Sequence, residues 1–173
     1  LYGSPLQLEG LPGAPITLER LERHVAWDTV YFGANGNRPK VEHAILRGAD
    51  SALTAVLTTL RVESCLFEKN DVGLVAGSNS LILGRGSEFF SNLVGARSLD
   101  FVGLSGKLRL DAKEVPNWFE DNLVGLETLN SILQYDEARG NYWGHATGPD
   151  DEANPSGLGD TTPGSNLVVP FRT

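Results

Sequence analysis

Short strand-like runs recur along the chain, and each is cut off by Gly, Asn or Ser. Leu60-Arg61-Val62-Glu63-Ser64, Leu81-Ile82-Leu83 and Leu108-Arg109-Leu110 are the clearest. Their length suits strands of a few residues and falls short of helices. Ile16–Leu21 alternates apolar and polar, which predicts a half-buried strand. Leu18, Leu21 and Val25 also recur at helical spacing, so a short capping helix is the rival there. Trp27–Gly33 alternates again, and Ala34-Asn35-Gly36-Asn37 has turn composition. Residues 1–15 carry Gly3, Pro5, Gly10, Pro12, Gly13 and Pro15, which allow no long element. Residues 1–24 are therefore expected to be a lead-in or N-terminal cap.

A repeat organises the rest. Phe67-Glu68-Lys69-Asn70-Asp71-Val72-Gly73-Leu74, Phe89-Phe90-Ser91-Asn92-Leu93-Val94-Gly95-Ala96 and Phe119-Glu120-Asp121-Asn122-Leu123-Val124-Gly125-Leu126 all read Phe-x-x-Asn-x-Val-Gly-apolar. Leu46–Leu53 is a weaker fourth copy. Ala49, Asn70, Asn92 and Asn122 stand 21, 22 and 30 residues apart. The long step fits one coil plus an insertion within 101–116. Such a period marks a solenoid, and units too short for two helices and rich in short strands point to a β-helix. Coils of a β-helix stack about 4.8 Å apart, so like residues lie over like residues. Phe67, Phe89 and Phe119 are expected to form an interior aromatic column. Asn70, Asn92 and Asn122 are expected at left-handed bends, bonding from coil to coil, with Gly73, Gly95 and Gly125 at a second bend. Asn141-Tyr142-Trp143-Gly144 falls where the next copy is due, so the Trp143 indole is expected to close the stack.

The closing stretch carries a resemblance. Asn141, Trp143, Gly144, Gly148, Pro149, Gly157, Gly159, Asp160 and Pro170 are similar to the ending of secreted and surface-displayed bacterial right-handed parallel β-helix proteins, a group that includes pectate-lyase-like enzymes. Trp27-x-x-Val30-x-Phe32 resembles the opening of such arrays, with Thr29 where Gly is usual. The resemblance implies an all-β, right-handed parallel β-helix of about five to seven coils. It implies one domain, with coils over 25–140 and an irregular closing segment over 141–173. It says little about activity, because one architecture hosts many functions.

Charge and composition narrow the function classes. Apolar residues make up 40% and charged residues 21%, as expected of a folded domain rather than a disordered one. The net charge of −8, with 14 scattered Lys and Arg, argues against a general nucleic-acid surface. The single cysteine, Cys65, is expected to fill core rather than to react. No 18-residue apolar run predicts membrane insertion. The chain opens on Leu1 and contains no methionine, as expected of a piece of a larger chain.

The search for chemistry yields little. His24, His43 and His145 have no metal-ligand spacing, and no nucleophile elbow, phosphate loop or dinucleotide fingerprint occurs. The resemblance implies two enzymatic patterns to look for. The hydrolases of the group use paired Asp residues and Gly-His-Gly, which are absent; Gly144-His145-Ala146 comes nearest. The lyases use calcium-binding carboxylates beside a basic residue, for which Asp100, Asp111, Glu114, Asp121, Asp136 and Glu137 with Arg97 and Arg109 are candidates. Asp150-Asp151-Glu152 is the densest acidic cluster, and a solvated loop is the expectation for it. Trp118 is expected to point outward beside an inward Phe119, packed under the 101–116 insertion rather than free to bind. No catalytic residue, cofactor or metal is expected. The expected function is a non-enzymatic module on the cell surface or outside the cell, of the adhesin, surface-layer or pilus-tip kind, with a carbohydrate or protein ligand. A fragment of a polysaccharide lyase or hydrolase, and a DNA-handling module of an uptake pilus, are the alternatives.

Overall fold

The computed structural model describes residues 7–20, 26–34, 38–101, 104–110, 115–129, 136–164, 166–167 and 172. The chain runs through successive three-strand turns. The first turn is β1 (Gln7–Glu9), β2 (Ile16–Glu19) and β3 (Val30–Phe32). The second is β4 (Lys40–Glu42), β5 (Ala44–Arg47) and β6 (Ser51–Ala55). The third is β7 (Thr59–Glu63), β8 (Leu66–Glu68) and β9 (Val72–Ala76), and the fourth is β10 (Leu81–Arg85), β11 (Glu88–Phe90) and β12 (Val94–Phe101). After β13 (Leu104–Ser105) comes a fifth turn of β14 (Lys107–Arg109), β15 (Trp118–Glu120) and β16 (Val124–Leu129). The remaining strands are β17 (Asp136–Glu137), β18 (Pro149–Asp150), β19 (Gly159–Thr161) and β20 (Asn166–Leu167).

Parallel pairing between turns builds three faces. The first is β1-β4-β7-β10-β14-β17-β20, the second β2-β5-β8-β11-β15 and the third β3-β6-β9-β12-β16. The chain is a parallel β-helix, all-β among its described residues. Stacking starts earlier than the sequence suggests. β1 and β2 already pair with β4 and β5, so the Pro- and Gly-rich start supplies the first turn instead of a separate lead-in. Where the rival helix would begin, Leu18 lies in β2 as the alternation predicts; residues 21–25 and most of the final extended piece lie outside the described residues. The insertion in the long repeat begins as a hairpin: β13 folds back antiparallel on the end of β12, pairing Asp100 with Ser105.

The register explains the repeat. Leu46, Phe67, Phe89 and Phe119 occupy one interior column. The Phe67 and Phe89 rings lie 4.9 Å apart and the Phe89 and Phe119 rings 4.6 Å apart, both nearly parallel. Trp143 continues the column, its indole stacked 4.5 Å from Phe119 and wholly buried. Other interior columns are aliphatic: Leu60–Ile82–Leu108 on the first face and Leu53–Leu74–Ala96–Leu126 on the third. Burial of these columns supplies the driving force, since each large side chain moved out of water contributes about 1.5–3 kcal/mol.

The bends use the repeat residues differently from the expectation. Left-handed angles fall one position before the asparagines, at Lys69, Ser91 and Asp121, and at Gly48 before Ala49, the equivalent position of the weaker copy. The asparagines instead hold the next turn. Asn70 Nδ2 donates to Asn92 Oδ1 at 3.0 Å and Asn92 Nδ2 to Asn122 Oδ1 at 2.9 Å. Each Oδ1 also accepts a backbone N–H from the turn before: Asn70 Oδ1 from Ala49 N, Asn92 Oδ1 from Asn70 N, and Asn122 Oδ1 from Asn92 N. A non-glycine residue in the left-handed region costs about 1–2 kcal/mol, and this buried ladder fixes the corner beside it. The glycines make no second bend. Gly73, Gly95 and Gly125 lie inside β9, β12 and β16, where a Cβ would meet the backbone or side chain of the neighbouring turn and crowd the ring column; at Gly95 it would stand 2.6 Å from Gly125 O and 3.1 Å from the Phe119 ring.

Candidate functional site

Strand alternation sends every second side chain of the second face outward. Because Phe67, Phe89 and Phe119 point in, Leu66 and Glu68, Glu88 and Phe90, and Trp118 and Glu120 point out. Glu88 lies beside Trp118 and Phe90 beside Glu120 on adjacent turns. The four form a checkerboard in which each aromatic side chain has an acid along its strand and another across the turn. Tyr142 bridges Trp118 on the following turn, with ring centroids 4.5 Å apart and tilted 48°. Trp118 is 45% exposed. It packs on Tyr142 at the surface and lines an open groove of about 440 Å³ together with Leu66, Glu68, Glu88, Phe90 and Glu120. The described part of the insertion does not cover it, since the hairpin that opens the insertion grows from the third face, whereas Trp118 is on the second; residues 102–103 and 111–114 of the insertion lie outside the described residues.

Charge on this face is uneven. Glu68 is held by Arg47 at 2.6 Å and by Lys69 at 2.9 Å, which keeps its carboxyl below the usual range, the Lys69 bond foremost. Glu88 and Glu120 have no ion pair among the described residues. The end of the face towards Tyr142 therefore combines uncompensated carboxylates with exposed ring surface.

The first face has the opposite character. Lys40, Arg61, Leu83, Arg109 and Glu137 form one outward column, with Glu42, Glu63 and Arg85 beside it. Arg61, Arg85, Arg109 and Arg139 line a groove of about 490 Å³. Glutamates interleave with these cations: Glu63 meets Arg85 at 2.9 Å, and Glu137 meets Lys107 at 2.9 Å and Arg109 at 3.2 Å. Glu137 is held below its usual range chiefly by the Lys107 bond, and Lys40 above its own by Glu42.

The remaining sequence candidates scatter. Asp136 points inward at the end of the Leu60–Ile82–Leu108 column and accepts bonds from Ser98 Oγ, Thr128 Oγ1 and Leu108 N. Burial pushes its carboxyl up. Arg97 lies outward on the third face and pairs with Glu127, and Asp121 sits exposed at a corner. Asp111, Glu114 and His24 lie outside the described residues. The Asp151 carboxylate is occupied by its own loop, accepting from Ala153 N, Asn154 N and Thr162 Oγ1. Among the described residues no three His, Cys, Asp or Glu side chains gather as a metal site. Cys65 is buried, its thiol pushed up to about 11 by burial.

The closing segment completes the stack. Asp160 Oδ2 accepts from Asn122 Nδ2 at 2.6 Å and from Asn122 N at 3.3 Å, so a carboxylate ends the asparagine ladder. Burial, with repulsion from Asp121 and Glu120, pushes Asp160 up to about 6 against the bonds from Asn122. A second ladder has no signature in the sequence repeat. Ser87 Oγ accepts from Cys65 N, Asn117 Oδ1 from Ser87 N, and Asn141 Oδ1 from both Asn117 N and Asn117 Nδ2. Gly144 and Gly148 adopt φ of 77° and 80°, which the turns around the cap require, and Pro149 pairs with Gly159 in the small cap sheet.

No family model matches this chain, and neither the curated proteins nor the solved structures contain a significant match.

Proposed function

We propose that this chain is a non-enzymatic binding module, displayed on a cell surface or secreted, that takes its ligand on the second face. The observation that carries the reading is the exposed ring of Trp118 with the half-buried rings of Phe90 and Tyr142 around it, set beside Glu88 and Glu120. Aromatic planes held on a sheet suit stacking on sugar rings or on flat side chains of a partner. A stacked solenoid is rigid and accepts inserted loops without disturbing its axis, as display requires. Of the acids singled out in the sequence, those described, Asp100, Asp121, Asp136 and Glu137, lie at the insertion hairpin, a corner, the interior and the first face, which supports the non-enzymatic reading.

The test is a glycan and peptide array probed with the wild type and with Trp118→Ala. The reading expects at least one ligand whose binding is lost in the variant while the unfolding midpoint stays unchanged. Release of unsaturated sugars from acidic polysaccharides, or array binding indifferent to Trp118, overturns it. The grouped Arg61, Arg85, Arg109 and Arg139 favour DNA handling as a second reading. That reading expects salt-sensitive retention on immobilised DNA that is lost in Arg61→Ala/Arg109→Ala.

A further inference from the structure

We infer that the ligand of the second face is an amino-sugar oligomer, whose rings stack on Trp118 and Tyr142 and whose ammonium groups meet Glu88 and Glu120. This rests on the reading of that face as the binding surface, and it adds the ligand's charge and ring chemistry.

Three features of the face select this chemistry. The first is the alternation of acid and ring. Glu88 borders Trp118 across one turn and Phe90 along its strand, and Glu120 borders Phe90 and Trp118 in the same two ways. An ammonium group placed over this checkerboard meets a carboxylate and the electron-rich face of an aromatic ring together, two attractions that add. The second is the absence of an internal counter-charge. Arg47 and Lys69 serve Glu68 further along the face, whereas Glu88 and Glu120 pair with no cation among the described residues. A purely apolar partner would have to strip water from both carboxylates without compensation, and an anionic glycan would be repelled. The third is the shape of the platform. Trp118 and Tyr142 are tilted 48° to each other at 4.5 Å, a shallow cup of ring surface. A pyranose ring offers a rigid apolar face to such a cup at little conformational cost, whereas a lysine side chain must be ordered along its length. Successive turns repeat about every 4.8 Å along the axis, so an extended oligomer lying along the axis meets a new acid or ring at each turn from Glu68 to Tyr142.

The experiment is titration calorimetry in mildly acidic buffer, which keeps sugar amines charged, with three probes: a glucosamine hexasaccharide, its fully N-acetylated counterpart, and hexalysine. The glucosamine oligomer is expected to bind, and N-acetylation to weaken it by about tenfold or more. Glu88→Gln/Glu120→Gln, which keeps shape and removes charge on an exposed surface, is expected to bring the glucosamine oligomer down to the level of the acetylated one without lowering the unfolding midpoint, since loss of the Glu120 charge relieves Asp160. Equal affinity for the two sugars, or no effect of the double substitution, overturns the cationic ligand and leaves the binding face standing. Hexalysine binding as tightly, with the same dependence on Glu88 and Glu120, overturns the sugar and makes a basic peptide the occupant. Failure of every probe, together with an array indifferent to Trp118, removes both this inference and the reading beneath it.

Discussion

Asp160→Asn is expected to stabilise the protein at neutral and higher pH. Asp160 stands where the next ladder amide would be, and its Oδ2 accepts both N–H groups of Asn122. Its site is buried and faces Asp121 and Glu120, so its pKa rises from 3.8 to about 6. A folded pKa raised above the unfolded one gives stability that is fully present below about 3.8 and lost as pH rises through about 6. A difference of about two units corresponds to about 3 kcal/mol against the ionised form above pH 7. An asparagine keeps the acceptor oxygen and drops the charge. Urea unfolding should therefore place the variant about 2–3 kcal/mol above the wild type at pH 8, with the gap closing towards zero near pH 4. Comparing the two at each pH cancels the opposing effect of Glu42, Glu68 and Glu137, whose lowered pKa values make the protein lose stability as acid protonates them. A variant less stable than wild type at pH 8, or a gap independent of pH, would refute the reasoning. It would mean that the charge anchors the ladder.

Substitutions at three further residues probe the stack. Asn92→Ala removes an acceptor shared by two N–H groups and two donated bonds, and should cost about 3–5 kcal/mol in urea unfolding. The indole N–H of Trp143 is buried with no hydrogen-bond partner among the described residues. Trp143→Phe should therefore cost under about 1.5 kcal/mol, while Trp143→Ala should cost about 3–5 kcal/mol, as thermal melts of the pair would show. Gly95→Ala forces a methyl against Gly125 O and the Phe119 ring, and should cost at least about 2 kcal/mol on the same measurement.

The stacking was legible because the residues that stack repeat in type. Phe67, Phe89 and Phe119 keep their spacing to Asn and Gly, and interior columns tolerate few substitutes, so the copies stayed recognisable. The weaker copy was aligned correctly too, since Leu46 pairs with Phe67 and Leu53 with Leu74. The Cys65–Ser87–Asn117–Asn141 ladder was hidden because its members share a backbone role while their side chains change. The role of Asp160 was open to inference: a chain of amides must end on an acceptor, and Asp160 follows in the closing motif. Composition favours Asn at the left-handed corners, but the Asn side chains are committed to the buried ladder, and their neighbours Lys69, Ser91 and Asp121, all less buried, take the strained angle. The proposed binding face was half visible. Alternation placed Trp118 outside, and the same rule applied from Trp143 would have set Tyr142 beside it. The pairing of Glu88 with Trp118 follows from the same repeat, since Phe89 over Phe119 sets the preceding residues side by side, whereas the cations that serve Glu68 and leave Glu88 and Glu120 unpaired among the described residues needed side-chain positions.

The claim beneath all of this is that equivalent side chains of successive turns touch. Nuclear Overhauser spectroscopy of the side-chain amides and aromatic rings measures it. Cross-peaks linking Asn70 to Asn92 and Asn92 to Asn122, and Phe67 to Phe89 and Phe89 to Phe119, with amide protons protected from exchange, are the predicted result. Amides that exchange at once, or rings whose only neighbours are local in sequence, would contradict it.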